Sequence, residues 1–452
     1  MKRYLILLVL AALSNGLRAA EPVQWSSYRG AFAAGLDTRQ EAPAEWDVES
    51  GKNVLWRVEV PGLGLSSPVV WGDDLFLTTA VASEGDEAKL KVGLYGDIKS
   101  SADDGEQSWR VLCIDRQTGK TRWEMEAYKG IPAVKRHPKA SHANPSVATD
   151  GKHVVASFGS EGMYCYGREG KLLWSKDFGV LDSGYFKMKE AQWGFASSPV
   201  IHEGRVLVQC DVQEGSFIAA YKVGTGEEIW KTERDEVPTW GTPTIVRVGG
   251  KTQVVVNGYQ HIGGYDFETG NPVWWLRGGG DIPVPTPISA KDHVFITNAH
   301  GKLAPIYAIR ADAEGKVDPE EGGAAVTWWQ RRRGNYMQTP IVVGEYLFCC
   351  TDSGVMSCFD AVGGERFFLE RLRDGRSGFG STASPVSDGT KLYYPTEDGH
   401  VYIVAVDNEF KKLGKQTLGE DCMATPALVN GVLYFRTRHH LLAVGQNEKK
   451  GG

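Results

Sequence analysis

Eight short segments of this chain repeat one signature, in which Ser, Thr or Asn precedes a proline that opens a brief apolar run. The eight prolines are Pro68, Pro145, Pro199, Pro243, Pro287, Pro340, Pro385 and Pro426. They are separated by 77, 54, 44, 44, 53, 45 and 41 residues. Repetition at a period of roughly 40–50 residues, without helical heptads, is typical of a β-propeller in which each repeat forms one four-stranded blade. The sequence therefore predicts an all-β chain with eight blades.

The third repeat predicts how one blade is built. Short apolar stretches at 199–202, 205–210, 217–221 and 227–232 alternate with turns, several of which contain glycine. Four such stretches joined by turn residues are typical of an antiparallel sheet. The proline belongs at the start of the first, innermost strand, where its missing N–H costs the ladder least.

A second element recurs in the turn before the fourth strand, where a glycine is followed four residues later by an aromatic residue. The pairs are Gly119 and Trp123, Gly170 and Trp174, Gly226 and Trp230, Gly270 and Trp274, and Gly364 and Phe368. Glycine supplies positive φ in the turn, and the aromatic ring is expected to pack between neighbouring blades. The fifth repeat departs from this pattern, with Trp328 after an acidic insertion at 312–321, and the seventh lacks the aromatic residue.

The eighth repeat supplies only three strands, at 427–429, 432–437 and 440–444. Residues 51–56 near the N-terminus resemble the missing turn and strand, with one residue inserted. We therefore predict that an N-terminal strand completes the last blade and closes the ring. Closure removes sheet edges that would otherwise be free to aggregate.

Three segments carry a family resemblance: Asp115–Trp123, Lys222–Trp230 and Asp266–Trp274. They resemble the tryptophan-docking repeat of the pyrroloquinoline quinone (PQQ) family of propellers, over roughly residues 46–445. The resemblance implies either a PQQ-dependent, calcium-containing alcohol dehydrogenase or a cofactor-free, BamB-like scaffold. The compact length favours the second branch, and the Glu/Asn/Asp calcium ligands of the dehydrogenases have no residue-by-residue match in this chain.

The first twenty residues resemble an export signal. Lys2 and Arg3 form a charged start, residues 4–13 are a run of ten apolar residues, and Ala19 and Ala20 are small enough for cleavage. No later segment approaches the ~18 apolar residues of a membrane-spanning helix. We expect a signal peptide at 1–20, a lead-in at 21–45, the propeller at 46–445 and a polar tail at 446–452. The expected location is the periplasm or the extracellular space, as a soluble protein.

Charge narrows the class of partner. Loss of Lys2, Arg3 and Arg18 with the signal changes the formal net charge from −6 to −9. A mildly acidic chain argues against nucleic acid or an anionic membrane surface as the partner. The partner is therefore expected to be a small molecule, a peptide or an envelope protein.

The seven cysteines do not have the spacing of a zinc site, and no metal site is predicted. None lies near the cleavage point, so a lipid anchor is not expected. Adjacent cysteines are disulfide-bonded beside the cofactor in some PQQ dehydrogenases. Here Cys349 and Cys350 fall in an apparent strand, whose successive side chains point to opposite faces, so bridging them would need a strained turn. We predict buried free thiols.

If the strands run from the inside outward, the loops between blades and the loops joining second to third strands share one face. Polar groups converging with aromatic residues at a propeller mouth form the default ligand site. The candidate binding residues are His142, Trp193, Trp240, Asp281, Asn298, His300, Tyr336 and Gln338. Trp193 and Trp240 could clamp a planar ring or simply pack at the base of their loops. Asp211, Asp352 and Asp398 are interpreted as turn formers.

Two functions from different classes follow. The first is a ligand-binding or scaffold propeller of the cell envelope, with no cofactor. The alternative is a PQQ-dependent oxidoreductase that uses Asp281 as its base. A glycan-processing enzyme would need carboxylates paired across the mouth, which only Asp281 and Asp398 could supply. Because fold analogy alone confers no activity, the binding protein is the preferred hypothesis.

Overall fold

The computed structural model describes residues 23–83, 89–94, 99–102, 105–320, 324–372 and 380–447. Over these ranges the β-strands form eight sheets, which are the eight blades of a propeller. We number the blades 1 to 8 in the order of the eight prolines. The signal peptide expected at 1–20 and most of the expected tail lie outside the described residues.

Each blade contains four antiparallel strands, and the strands found in the third repeat match the prediction to within one residue at each end. The first strands of neighbouring blades contact one another around the axis. From the axis outward, the strands of blades 1 to 4 are Val69–Trp71, Asp74–Ala82, Gln107–Asp115 and Thr121–Gly130; Ala148–Thr149, His153–Ser157, Met163–Gly167 and Leu172–Lys176; Val200–His202, Arg205–Cys210, Phe217–Lys222 and Glu228–Glu233; Thr244–Val248, Lys251–Val256, Ile262–Asp266 and Pro272–Leu276.

Blades 5 to 8 repeat the arrangement, and two short 3-10 helices, Ala31–Ala33 and Gly159–Glu161, lie outside the sheets. The strands of these blades are Ile288–Ala290, His293–Thr297, Ile306–Arg310 and Val326–Gln330; Ile341–Val343, Tyr346–Cys350, Val355–Asp360 and Arg366–Arg371; Val386–Ser387, Lys391–Pro395, His400–Ala405 and Lys412–Thr417; Ala427–Val429, Val432–Arg436, His440–Val444 and, outermost, Val54–Glu59.

The hydroxyl residue of the repeated signature has a structural role. Among the described residues, seven backbone N–H groups donate to the Ser or Thr hydroxyl of the next blade, at 2.8 to 3.1 Å. In blade 2 the acceptor is Ser146, which follows Pro145, whereas in blades 3 to 8 it precedes the proline. The hydrogen bonds therefore depend on the hydroxyl rather than on the proline, and they satisfy buried polar groups around the axis.

The glycine–tryptophan turns join neighbouring blades as the sequence predicts. Trp174 of blade 2 donates its indole N–H to the carbonyl of Val223 in blade 3 at 2.8 Å, and its ring lies against Gly226. Trp123, Trp230 and Trp328 make the equivalent bond to the following blade. Trp274 instead bonds the Gln253 side chain of its own blade. Gln253 donates in turn to the Ala311 carbonyl of blade 5 at 3.3 Å, so Trp274 reaches the following blade through this glutamine. The insertion in blade 5 adds strand Gly315–Val317, which pairs in parallel with the outer strand of blade 4.

The two ends of the chain close the ring. Strand Val54–Glu59 pairs antiparallel with His440–Val444 and is the fourth strand of blade 8, which confirms the predicted closure. Trp56 donates to the Arg116 carbonyl of blade 1 at 3.0 Å and packs on Gly119. The N-terminal strand thus carries the docking tryptophan of blade 8.

The segment before that strand, expected only as a lead-in, crosses the central channel. Gln24–Trp25 pairs with the innermost strand of blade 1, and Leu36 bridges to Ser387 of blade 7. Between them the fully buried Arg29 donates to the carbonyls of Pro385 at 2.6 Å and Pro340 at 3.0 Å. Burial lowers the pKa of Arg29 to about 10. This segment therefore blocks the channel on the side away from the site described next.

All seven cysteines are buried and unbridged, and Cys349 and Cys350 end a strand as predicted. Burial raises the pKa of the Cys349 thiol far above its ordinary value. No helix in the described ranges has the length and apolar character needed to cross a membrane.

Candidate ligand-binding site

A cavity of about 440 Å³ lies at one mouth of the channel. The loops between blades and the loops joining second to third strands both border it, as the strand order predicts. Tyr28 of the N-terminal segment and the hydroxyl residues that open the innermost strands also line it. The lining side chains include Leu94, Lys139, Tyr185, Trp193, Trp240, His300, Tyr336, Asp352, Thr382 and Glu397.

Three aromatic rings in a row form one wall of the cavity. Tyr185 and Trp193 are stacked, with ring centroids 5.4 Å apart and planes inclined by 3°. Trp240 follows at 5.5 Å from Trp193, and its indole N–H donates to the Gly194 carbonyl at 3.0 Å. Both tryptophans are half-buried. Fixed, partly open rings of this kind can stack on a planar ligand.

Asp281 lies behind this wall at the centre of a polar cluster. Its side chain is 4% exposed and accepts hydrogen bonds from Tyr185 Oη at 3.0 Å, from Lys187 Nζ and from the His300 ring. His300 adopts a left-handed φ of 73° and stacks on Tyr336, with centroids 5.9 Å apart. A non-glycine residue with positive φ is uncommon and recurs at functional sites.

The partners of Asp281 determine its protonation. Burial opposes ionisation, but the hydrogen bonds from Lys187 and His300 outweigh it, so the pKa of Asp281 lies below its usual value. Burial and the bond to Asp281 together raise the pKa of Tyr185. Asp281 is therefore an ionised, fully engaged carboxylate, which positions its neighbours and is poorly suited to act as a proton acceptor.

A second ion pair borders the cavity from blade 7. Glu397 is 1% exposed and accepts from Lys139 Nζ at 2.7 Å, from Thr382 Oγ1 at 2.6 Å and from the Gly93 N–H at 2.7 Å. Lys139 Nζ also donates to the Gly93 carbonyl at 2.9 Å. These bonds hold residues of the blade 1 insertion across the mouth, where Leu94 faces the cavity.

Two further titratable groups meet between blades 5 and 6. Burial raises the pKa of Tyr336 to about 12, so this phenol keeps its proton at neutral pH. Burial also raises the pKa of Asp352, which accepts the Ser353 N–H at 3.0 Å. Both side chains border the main cavity.

The structure brings four of the eight candidate residues to the cavity wall: Trp193, Trp240, His300 and Tyr336. Asp281 contacts His300 from behind. The other three do not border the cavity. Asn298 is fully buried and bonds Asn257, Gln338 is 1% exposed, and His142 packs edge-on against Trp109.

Residue-level reasoning missed Tyr185 and Lys187. They lie in the loop between blades 2 and 3, where the proline separation of 54 residues exceeds the 44 of the next two repeats. That excess was the available signal for a functional loop. The separation of 77 after Pro68 similarly marks the insertion that carries Gly93 and Leu94.

The interpretation of Asp211 as a turn former is wrong. Asp211 is fully buried and pairs with Arg234, whose Nε lies 2.7 Å from Asp211 Oδ1. It also accepts from Thr239 and Gln209. Buried charges need such partners, so the Asp211–Arg234 ion pair is structural. It joins the end of the second strand of blade 3 to the end of the fourth. Asp398 instead accepts from Thr396 and His400 within its own turn.

The described ranges contain no group of three or more His, Cys, Asp or Glu side chains placed to hold a metal ion. The Asp281 carboxylate is already bonded by Lys187 and His300, and the Glu397 carboxylate is bonded by Lys139. The cavity therefore presents aromatic faces, hydroxyl groups, the Glu397 carboxylate paired with Lys139, and the carboxyl group of Asp352.

The comparisons with known proteins agree with this architecture. Residues 107–315 and 187–410, two overlapping segments, match the family model described as outer membrane protein assembly factor BamB. No curated protein matches the sequence.

Solved structures of both branches are similar to the chain. BamB from Moraxella catarrhalis is 13% identical, with a TM-score of 0.52, and the match spans 83% of this chain and 98% of the BamB chain. A europium-containing methanol dehydrogenase is 12% identical, with a TM-score of 0.60, and the match spans 91% of this chain and 89% of the dehydrogenase. The quinohemoprotein alcohol dehydrogenase from Comamonas testosteroni is 12% identical, with a TM-score of 0.59. The match spans 96% of this chain and 82% of the dehydrogenase. At these identities the similarity shows a shared fold alone.

Proposed function

We propose, because this chain belongs to the family described as outer membrane protein assembly factor BamB, that it is an exported binding protein of the cell envelope. Its ligand is a small molecule with a planar portion, held at the mouth of the propeller. The binding surface is the wall formed by Tyr185, Trp193 and Trp240.

One observation carries this proposal: a cavity of about 440 Å³ with fixed aromatic faces, lined also by Tyr28 of the N-terminal segment that crosses the channel. Ligand pockets of known proteins are typically ~300–1,000 Å³, mostly apolar, with a few placed polar groups. Tyr28 and Arg29 block the far side of the channel, so a ligand would enter and leave by the mouth. Such a shape favours binding of one molecule over passage through the ring.

PQQ and calcium, which the family resemblance implies, fit this cavity only in part. Trp193 and Trp240 offer faces for a planar ring. Two of the three nearby carboxyl groups are less suitable, because Lys139 engages Glu397, and Lys187 with His300 engages Asp281; this leaves Asp352 alone. Calcium takes ~6–8 oxygen ligands, so it would have to displace an ammonium group. The donor set does not fit a calcium-held quinone, which favours the binding protein over the oxidoreductase.

A titration separates these two functions. Purified protein is mixed with PQQ and Ca²⁺ while tryptophan fluorescence is followed, and alcohols are then supplied with a reducible dye. We expect no calcium-dependent quenching and no dye reduction. Calcium-dependent binding followed by alcohol-dependent dye reduction would establish the oxidoreductase instead.

Binding itself is tested with a neutral planar probe, N-phenyl-1-naphthylamine. We expect one probe per chain, with energy transfer from tryptophan. Loss of one stacking partner is worth about 1.5 kcal/mol, so Trp193→Ala should weaken binding about tenfold. Trp275, half-buried on the outer strand of blade 4 and outside the cavity, provides the control variant Trp275→Ala. Equal affinities of wild type and Trp193→Ala would contradict the assigned wall.

A further inference from the structure

A second compartment, of about 390 Å³, adjoins the main cavity between blades 5 and 6. Arg332, Arg333, Thr351 and Ser353 are among its lining residues. Tyr336 and Asp352 line both spaces, so the two are neighbours that meet at these side chains. A substituent that passes these two side chains would carry a molecule seated on the aromatic wall into the second compartment.

The charge of this compartment stands out in an acidic chain, whose formal net charge is −6. Three arginines are consecutive here. Arg331 is neutralised by Glu320 at 3.0 Å and lies over the Trp329 ring. Arg332 and Arg333, both exposed, have no carboxylate within ion-pair distance among the residues that the structure describes. Within the described part of the chain, the two guanidinium groups thus border the compartment without an ion-pair partner.

The segment that carries these arginines is fixed by backbone contacts. The Gly334 N–H donates to the Ala304 carbonyl at 2.7 Å, and the Ala304 N–H donates to the Arg331 carbonyl at 3.2 Å. A side chain at Gly334 would collide with the backbone of Asn298 and Pro305. Arg333 itself adopts a positive φ of 94°. The two guanidinium groups therefore project from a backbone of defined conformation.

One acidic group, Asp352, also borders the compartment and accepts the Ser353 N–H at 3.0 Å. Two guanidinium charges against one carboxyl leave the compartment with an excess of positive charge. Thr351 and Ser353 add hydroxyl groups, which can donate hydrogen bonds to an anion. Guanidinium groups bind carboxylate, sulfonate and phosphate oxygens through paired, charge-assisted hydrogen bonds.

We propose that the ligand carries an anionic group beside its planar portion, and that Arg332 and Arg333 bind this group while Tyr185, Trp193 and Trp240 bind the ring. This inference rests on the proposed function, because it needs a ligand in the main cavity. It names the ligand class as a small organic anion with one flat face.

Two naphthylamine dyes of similar ring system provide the test. 8-Anilinonaphthalene-1-sulfonate carries a sulfonate, and N-phenyl-1-naphthylamine carries no charge. Each is titrated into wild type and into the double variant Arg332→Gln/Arg333→Gln. We expect the double variant to bind the sulfonate about tenfold or more weakly, as for loss of a charge-assisted hydrogen bond, and to bind the neutral dye within twofold of wild type.

Arg331→Gln is the control, because it makes the same substitution at the neighbouring arginine, which is already paired with Glu320. We expect it to bind both dyes as wild type does. Unchanged affinity of the double variant for the sulfonate, or an equal loss for both dyes, would overturn the inference while leaving the binding wall in place. If neither dye binds wild type, the proposed function fails and the inference fails with it.

Discussion

At the scale of single residues, the glycine before the fourth strand of blade 3 serves two separable purposes. Gly226 adopts a φ of 70°, and a Cβ there would lie 2.8 Å from the Trp174 ring of the preceding blade. Gly204, in the same blade, has a φ of 75°, but a Cβ at that position would meet nothing within 4 Å. The first glycine therefore serves both the turn and the contact between blades, and the second serves the turn alone.

Alanine substitutions at Gly204 and Gly226 distinguish the cost of left-handed backbone from the cost of a steric conflict with the neighbouring blade. Left-handed backbone should cost about 1–2 kcal/mol in both variants. Overpacking against Trp174 should add about 1–3 kcal/mol in Gly226→Ala only. Urea unfolding of the two variants measures the difference in the free energy of unfolding. Equal destabilisation would mean that the indole can move aside and that the blade contact does not require glycine.

Two aspartates near the cavity should respond to pH in opposite directions. The pKa of Asp281 is lowered, despite burial, by the bonds from Lys187 and His300. Its carboxylate therefore stabilises the folded protein above the unfolded pKa of about 3.9, and this contribution is lost as pH falls through the folded value. Burial raises the pKa of Asp352, so its ionised form destabilises the protein at neutral pH, and this penalty disappears on acidification.

We therefore expect Asp281→Asn to be less stable than wild type at about pH 7, with a gap that narrows toward about pH 3. Asp352→Asn should be more stable than wild type at about pH 7 and should lose that advantage near about pH 4. Unfolding by urea at a series of pH values measures both differences. A gap between wild type and Asp281→Asn that stays constant with pH would contradict the assigned network.

At the scale of elements, one rule builds all eight blades, and its exceptions locate the special features. The strands of the third repeat were predictable because alternating apolar and turn residues recur at a fixed spacing. Pro145 shows the limit of the signature, because the hydroxyl that bonds the neighbouring blade belongs to Ser146 instead. A pattern of letters could not distinguish the residue that makes the contact from the residue that accompanies it.

Elements outside the repeat could not be placed from the sequence. Residues 23–46 carry no signature, so nothing indicated that Arg29 would reach the carbonyls of Pro340 and Pro385. Strand Gly315–Val317 lies in the insertion of blade 5 yet extends blade 4. Both depend on long-range packing, which periodicity does not encode.

The candidate site was likewise predictable only in part. Trp193 and Trp240 follow from their position just before the prolines, because the fold fixes where those loops converge. Tyr185 and Lys187 lie in the middle of a long loop without a repeat, so only the three-dimensional path brings them to Asp281. Periodicity thus placed the loop ends, and folding of the loops placed the rest.

At the scale of the whole molecule, the cavity depends on the closed ring. The mouth is bordered by loops from all eight blades, and the N-terminal segment supplies its floor. The pairing of Val54–Glu59 with His440–Val444 holds the ends of the ring together. Without that pairing the last blade would lack its outer strand, and Trp56 would not reach blade 1. The binding proposal therefore requires the closure of the ring.

A designed disulfide measures this closure most directly. Glu59 and His440 face each other in the strand pair, and facing residues have Cα atoms ~4.5–5.5 Å apart, which suits a disulfide. We predict that Glu59→Cys/His440→Cys, oxidised in the native state and then denatured, migrates faster than its reduced form on a gel, because the bridge closes a loop of nearly the whole chain. The two single variants should show no such shift. A double variant that stays uncrosslinked under oxidising conditions, with both thiols free after denaturation, would contradict the ring and the cavity that depends on it.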